Sequence, residues 1–378
     1  MLGFHLARPR DALLIAVGFL VATLTLSVLL AIPAGLDRLG KNTGRNDVAI
    51  AMSAHAFDEA GSRLSPEEVA VIGALPGIAR TAGGRARVAP QFIASAKLQR
   101  RDGTPTTIQV RGVTADTWPV IGIAPPALAS AEGRRALVPG IVALSQHPKL
   151  AADVLHLRNK DWRIADPLDF GGSLWESELW TELAALQAAY SAGSRISVLW
   201  LRLESASDYP RLAAAVAADS RLHNVRVVGQ QDYYRLRLGV VSQYVRITAV
   251  GISLLLGLGA SLCIGNALNT AIASRRRETA TLRALGFRQL AIVLSALLDV
   301  GLIGLLAAAV ALAIALLTLD GTPFSTASGG QAVYAVLMIT PGVAASVLAY
   351  SIVLGLLSAW LPLWQSGRQR LVQALREH

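Results

Sequence analysis

The chain has 378 residues, of which 53% are apolar and only 16% charged, with a mean hydropathy of +0.47. It is too apolar for an ordinary soluble protein and too long for a simple anchor, so a multi-pass membrane protein is expected. The formal charge of +10 is no nucleic-acid footprint, because its arginines crowd the ends of apolar segments, where membrane topology accounts for them.

In chain order, the first apolar segment carries no charge from Ala12 to Leu36. A span needs ~20 apolar residues, and a signal-peptide apolar region holds only about 7 to 15, so an uncleaved first span is expected near Ala12 to Ala34. Directly after it, Gly35 to Asn42 reads GLDRLGKN. This misses the phosphate-binding G-x-x-x-x-G-K-[ST] pattern only at its last position, but without the hydroxyl and a preceding buried strand it is a decoy.

Between Asp37 and Arg246 the chain carries 25 Lys and Arg against 20 Asp and Glu, a mild and scattered excess. Here the alternating Asp47 to Met52 reads as a strand. Ser65 to Leu75 reads as a helix, with Ser65 as N-cap, Pro66 at its first position, and Glu67 and Glu68 in its first turn. Pro76 and Gly77 end it, and a returning strand is expected over Ile78 to Val88. Further strands are expected at Phe92 to Leu98 and Thr106 to Val113. The aromatic run Trp162, Trp175, Trp180 and Tyr190 reads as core or subunit contact rather than a ligand cage. A second strand, helix and strand follow at Arg195 to Leu203, Asp208 to Ala218 and Asn224 to Gly229. The expected fold is one α+β layer built from two β-α-β units, with the material between them as an insertion.

Three more spans are expected near Ile247 to Ala271, Leu290 to Leu319 and Gly342 to Leu361. Arg8 and Arg10 precede the first span; Arg275, Arg276, Arg277, Arg283 and Arg288 separate the second from the third; Arg368, Arg370 and Arg376 follow the fourth. The loop from Asp320 to Pro341 has no Lys or Arg. The positive-inside rule therefore puts both termini and the loop after the second span in the cytoplasm, and the large segment on the far side. The expected division is 1–36 for the N-terminal tail and first helix, 37–246 for the exported domain, and 247–378 for the remaining three helices with a cytoplasmic tail.

Within the spans, Asp299 is the one acid, and a carboxylate near a helix centre costs ~2.5 to 3.5 kcal/mol. It is expected to face another helix or the cytoplasmic interface, with Asn266 or Asn269 as structural partner; a proton relay is the alternative. Cys263, the only cysteine, excludes an internal disulfide and suits close helix packing. The six histidines, His5, His55, His147, His156, His223 and His378, form no metal motif, and no nucleophile elbow occurs. Nothing argues for an enzyme, a bound metal or a cofactor.

A helix over 275–285 would place Leu282 and Leu285 on one face with Thr279 nearby, and most arginines toward water or lipid phosphates. Gly286 would end it. Such a helix can dock its apolar side in a partner's groove, or serve only as a topology anchor.

Gly265 to Phe287, GNALNTAIASRRRETATLRALGF, resembles the segment of FtsX-type permeases where the second span runs into a cytoplasmic coupling helix. Arg370 to Glu377, RLVQALRE, resembles the family's ending, and Leu64 to Ile78 resembles the start of the MacB-type periplasmic domain. The chain departs from the pattern at Leu363 and Trp364, where Ala-Arg is usual, and at Thr279, where Ile is usual. Membership in the MacB/FtsX-like ABC transporter permeases implies an inner-membrane subunit with four spans and a periplasmic domain between the first two. ATP and magnesium would bind a separate ATPase subunit. The resemblance assigns ATPase coupling to Arg275, Arg276, Arg277, Glu278, Leu282, Arg283, Leu285 and Gly286. Implied partners are that ATPase, a second copy or paralogue and, in the MacB-like efflux form, an adaptor and an outer-membrane channel. Lipoprotein release and control of cell-wall hydrolases are alternatives within the family, and an ATP-independent receptor is one outside it.

Overall fold

The computed structural model describes residues 9–126, 135–274, 289–328 and 331–368. Its contacts divide the chain into a helical unit, Met1–Gly35, Ser242–Thr322 and Val336–His378, and a domain unit, Leu36–Val241 and Pro323–Ala335.

The first long helix runs Pro9–Asn42, past the expected end of the span. The GLDRLGKN segment is thus the last turns of a helix, where its N–H groups are spent on intrahelical bonds and cannot cradle a phosphate. The domain's strands are β1 (Val48–Ser53), β2 (Val88–Gln99), β3 (Pro105–Val113), β4 (Ala136–Pro139), β5 (Val154–Leu157), β6 (Lys160–Ile164), β7 (Leu179–Glu182), β8 (Val198–Arg202) and β9 (Val225–Gly229). They form one sheet in the order β5-β6-β4-β7-β3-β2-β8-β1-β9.

β1 lies antiparallel between β8 and β9, with Ile50 opposite both Trp200 and Val228. β8 in turn lies antiparallel between β1 and β2, with Trp200 opposite Ala89. Each of the two β-α-β units is therefore split by a strand of the other, the interlocked arrangement of a ferredoxin-like layer. The insertion extends the same sheet. β3 returns along β2 as an antiparallel hairpin, β7 lies parallel to β3, and β4, β6 and β5 complete the edge.

The helix Pro66–Ala74 begins as its sequence requires. The Ser65 hydroxyl accepts from the Glu68 N–H at 3.1 Å, and the Glu68 carboxylate accepts from the Ser65 N–H at 2.7 Å. This reciprocal cap satisfies two donors that the first turn would leave bare. Ser65→Ala should cost about 1 kcal/mol, seen as a roughly fivefold drop in hydrogen-exchange protection of this helix; unchanged protection would mean that the cap contributes nothing.

The strand expected over Ile78 to Val88 does not form. Arg80 bridges only Ala86, Ile78 only Leu203, and Thr81 N–H donates to the Arg85 carbonyl at 2.8 Å. Gly83 and Gly84 lie inside this turn, with Gly84 at φ +77°, a backbone conformation open to glycine at little cost. The strand starts afresh at Val88.

One sheet face is covered by the helices Pro66–Ala74 and Tyr209–Ala218, where Ile72, Leu212 and Val216 pack on Ala49, Ala51, Leu199 and Leu201. In the insertion, Phe92, Ile108, Val110 and Leu179 pack with Trp162 and Leu186. Because strand side chains alternate, Ile50, Trp200, Gln91 and Arg111 point to the other face. An aromatic layer covers it: Trp118, Phe170 and Trp175 stack on Trp180 and Trp200. Trp162, Trp175 and Trp180 are all buried, which makes these aromatics core, as expected.

In the helical unit, the helices Gln230–Ser274, Gln289–Thr318 and Pro341–Arg368 join the first. Among the described residues, four helices are long and apolar enough to cross a membrane. Phe19 packs among Ile15, Ala22, Ile264, Val300, Ala307 and Leu354. A Cβ on Gly304 would sit 2.7 Å from the Phe19 ring, and one on Gly257 would sit 2.5 Å from the Tyr350 hydroxyl. That hydroxyl donates to the Ser253 carbonyl at 2.7 Å. Bare backbone at these two positions is what lets the helices close on each other.

Candidate functional site

A buried polar cluster joins the sheet to the first turns of the helix Gln230–Ser274, within the domain unit. At its centre is Arg111 on β3, fully buried. Its Nε donates to Glu178 Oε2 at 2.6 Å, Nη2 to Glu178 Oε1 at 3.0 Å and to Glu59 Oε2 at 2.9 Å, and Nη1 to Gln91 Oε1 at 2.6 Å. The guanidinium lies 5.4 Å from the Trp180 ring centre and 5.0 Å from that of Trp200. Hydrogen bonding in the plane and aromatic rings nearby are what a guanidinium offers and an ammonium does not.

The helix enters through two tyrosines. Tyr234 donates to Glu59 Oε1 at 2.9 Å and accepts from Trp175 Nε1 at 3.2 Å, while Tyr233 accepts from the Glu59 N–H at 3.2 Å. Gln109 Nε2 completes the shell around Glu178 at 2.9 Å.

Burial alone would push the Glu59 carboxyl up, but Arg111, then Arg237, with the Tyr234 hydroxyl donating, hold it below the usual carboxylate range. Burial prevails at Glu178, whose carboxyl lies above that range despite Arg111. Burial would also lower the guanidinium of Arg111, but the two carboxylates outweigh it and keep it charged. The cluster holds charges in fixed geometry and presents no nucleophile next to a base. Its chemistry is that of an anchor.

Sequence reading missed this cluster. Arg111 in TIQVRGV reads as the solvent side of an alternating strand, and only the pairing of β3 with β2 and β7 brings Gln91, Trp180 and Glu178 beside it. The one available signal was the aromatic run, whose members need polar partners when buried.

Arg275, Arg276, Arg277, Glu278, Leu282, Arg283, Leu285 and Gly286 lie outside the described residues. Asn266 is exposed on its helix, and the side chain of Asn269 lies outside the described residues. Asp299 is half-buried on the helix Gln289–Thr318, and its buried Oδ2 has no hydrogen-bond partner among the described residues.

No curated protein matches the sequence. The chain is similar to the periplasmic region of MacB from Actinobacillus actinomycetemcomitans, at 12% identity and TM-score 0.36, over 52% of this chain and 94% of that one. It is also similar to the extracellular domain of the noncanonic ABC-type transporter YknZ from Gram-positive bacteria, at 13% identity and TM-score 0.34, over 48% and 99%. Residues 250–371 match the family described as FtsX-like permease C-terminal. These residues run from the second long helix to just past the fourth, so the C-terminal third of the chain is similar to the FtsX-like permease C-terminal family, while the large α+β domain lies between the first and second helices.

Proposed function

We propose that this chain is a permease that converts ATP hydrolysis on a separate ATPase subunit into motion of its large domain on the other side of the membrane. The observation that carries the reading is the FtsX-like match over 250–371, with an arginine-rich segment between two apolar helices in its interior. In this reading two permeases, identical or paralogous, pair through their helices, and both termini and 275–288 face the cytoplasm. Arg275, Arg276, Arg277, Glu278, Leu282, Arg283, Leu285 and Gly286 form the lever that the ATPase grips. The helix Gln230–Ser274 precedes that segment in the sequence and begins in the Arg111 cluster, which favours it as the path of transmission. The finer proposal is MacB-like efflux, in which the domain drives cargo toward an adaptor and an outer-membrane channel. The two β-α-β units with a long insertion favour this form.

Leu282→Asp tests the lever. A carboxylate on the docking face should weaken assembly with the ATPase at least ~10-fold, about 1.4 kcal/mol. The readouts are copurification in mild detergent and stimulation of ATP hydrolysis, with membrane insertion unaltered. Full stimulation in the variant would remove the lever from this segment.

A further inference from the structure

The connection between the third and fourth long helices is a β-hairpin, β10 (Pro323–Ser328) and β11 (Gln331–Val336). Its residues Pro323–Ala335 group with the domain, and side chains fasten them there. The Tyr334 N–H donates to Ser177 Oγ at 3.3 Å, and Arg100 lies 5.5 Å from the Tyr334 ring centre while donating to Ser325 Oγ. Val333, Tyr334 and Ala335 are buried. The deepest contact is with His147, a buried residue just after the helix Ile141–Gln146. Its ring meets Tyr334 edge to face at 5.9 Å.

The hydrogen bonds of His147 fix its protonation. Nδ1 lies 3.1 Å from the Gln99 carbonyl oxygen, which can only accept, so Nδ1 carries the proton. In the neutral ring Nε2 is then bare, and at 3.1 Å it accepts from the Tyr334 hydroxyl. We infer that the hairpin is a latch on the domain, closed by the neutral His147 ring and opened when that ring takes up a second proton.

Protonation turns Nε2 from acceptor into donor. The Tyr334 hydroxyl must then turn its hydrogen away and accept, so what loosens the contact is the charge enclosed in a buried corner. The new cation is enclosed near the Arg100 guanidinium, and among the described residues no carboxylate forms an ion pair with His147, Asp102 acting instead on Arg100 and Tyr334. Of the elements packed on this corner, the end of β2 brings Arg100 and β11 brings Tyr334. The turn Leu174–Ser177 brings Glu176, whose carboxylate accepts from the Phe170 and Gly172 N–H groups. β5 brings His156, paired with Asp161, and the turn after Arg100 brings Asp102, bound to Thr104.

Burial, with Arg100 adding to it against the Gln99 carbonyl, holds docked His147 below the ordinary histidine value of 6.5. A released ring returns to that value. Docking is therefore at full strength above it and drains away as pH falls from it toward the docked value. Acid in the solution that bathes the domain would free the connector of the third and fourth helices, a control separate from any ATPase contact.

The test is hydrogen exchange on the full chain in lipid nanodiscs at about pH 7.5 and about pH 5, as protection factors corrected for intrinsic rates. The β11 amides should lose roughly tenfold in protection at the lower pH while β1 amides hold within about twofold. His147→Gln, which keeps one donor and one acceptor but cannot titrate, should abolish the difference. A pH series on the unmodified chain should place the midpoint below 6.5. Equal β11 protection at both values, parallel loss in β1, full acid sensitivity in the variant, or a midpoint above 6.5 would each overturn the latch.

Discussion

Arg111→Ala should destabilise the domain by about 3 to 5 kcal/mol, the cost of leaving buried charge without its partner. The substitution leaves Glu59 and Glu178 facing each other with four hydrogen bonds lost. It also leaves a void between Trp180 and Trp200, beside the guanidinium's former place. The loss should appear in thermal unfolding of the intact protein in detergent and as reduced exchange protection of β3 and of the turns around Tyr233 and Tyr234. Arg111→Lys should recover only part, since a point charge cannot reproduce the fork. Adding Glu59→Gln and Glu178→Gln to Arg111→Ala should recover more, because the repulsion goes with the charges. A loss below about 1 kcal/mol for Arg111→Ala would show that water reaches the two carboxylates and that the cluster is no anchor.

Phe19→Ala should cost the helical unit about 3 to 5 kcal/mol, the range for truncating a fully buried phenylalanine. The ring touches residues from four helices, so no single neighbour can move in to fill the space. Gly304→Leu should also be harmful alone, because its Cβ would meet the ring at 2.7 Å. In the Phe19→Ala background the same leucine enters the vacated space and should cost less than alone, a coupling of about 1 kcal/mol or more. Thermal unfolding of the four proteins in one detergent measures the cycle; strictly additive losses would mean that the two positions do not share a contact.

Local signals were the readable part of this fold. Ser65, Pro66 and Glu68 announce a helix start in four consecutive positions, and the structure shows the reciprocal cap they encode. Apolar length alone places the long helices. The splitting of each β-α-β unit by the other's strand was not readable, because β1 meets β8 and β9 across more than a hundred residues and nothing in its own sequence names them. The Arg111 cluster was hidden for the same reason. Glu59, Arg111, Glu178 and Tyr234 come from four distant segments, and each alone looks like a surface residue. The hairpin after the third helix left a fainter trace. The alternating runs on either side of Gly329-Gly330 fit a turn between strands, but the segment was read only for its lack of Lys and Arg. The gap at Ile78 to Val88 is the opposite case, where β-forming residues flank a glycine pair that bends them apart.

The interlocked sheet also dictates when the domain can be finished. β1 is among the first strands made, yet its neighbours β8 and β9 begin only at Val198 and Val225, so during synthesis it waits with two open edges. Such late, sequence-distant pairing is slow to form and leaves sticky backbone exposed meanwhile. The segment that closes the sheet, β9, is followed at once by the second membrane helix. Completion of the domain and synthesis of that helix therefore fall in the same short interval, and a delay in pairing the last strands would leave the nascent chain open to aggregation and proteolysis.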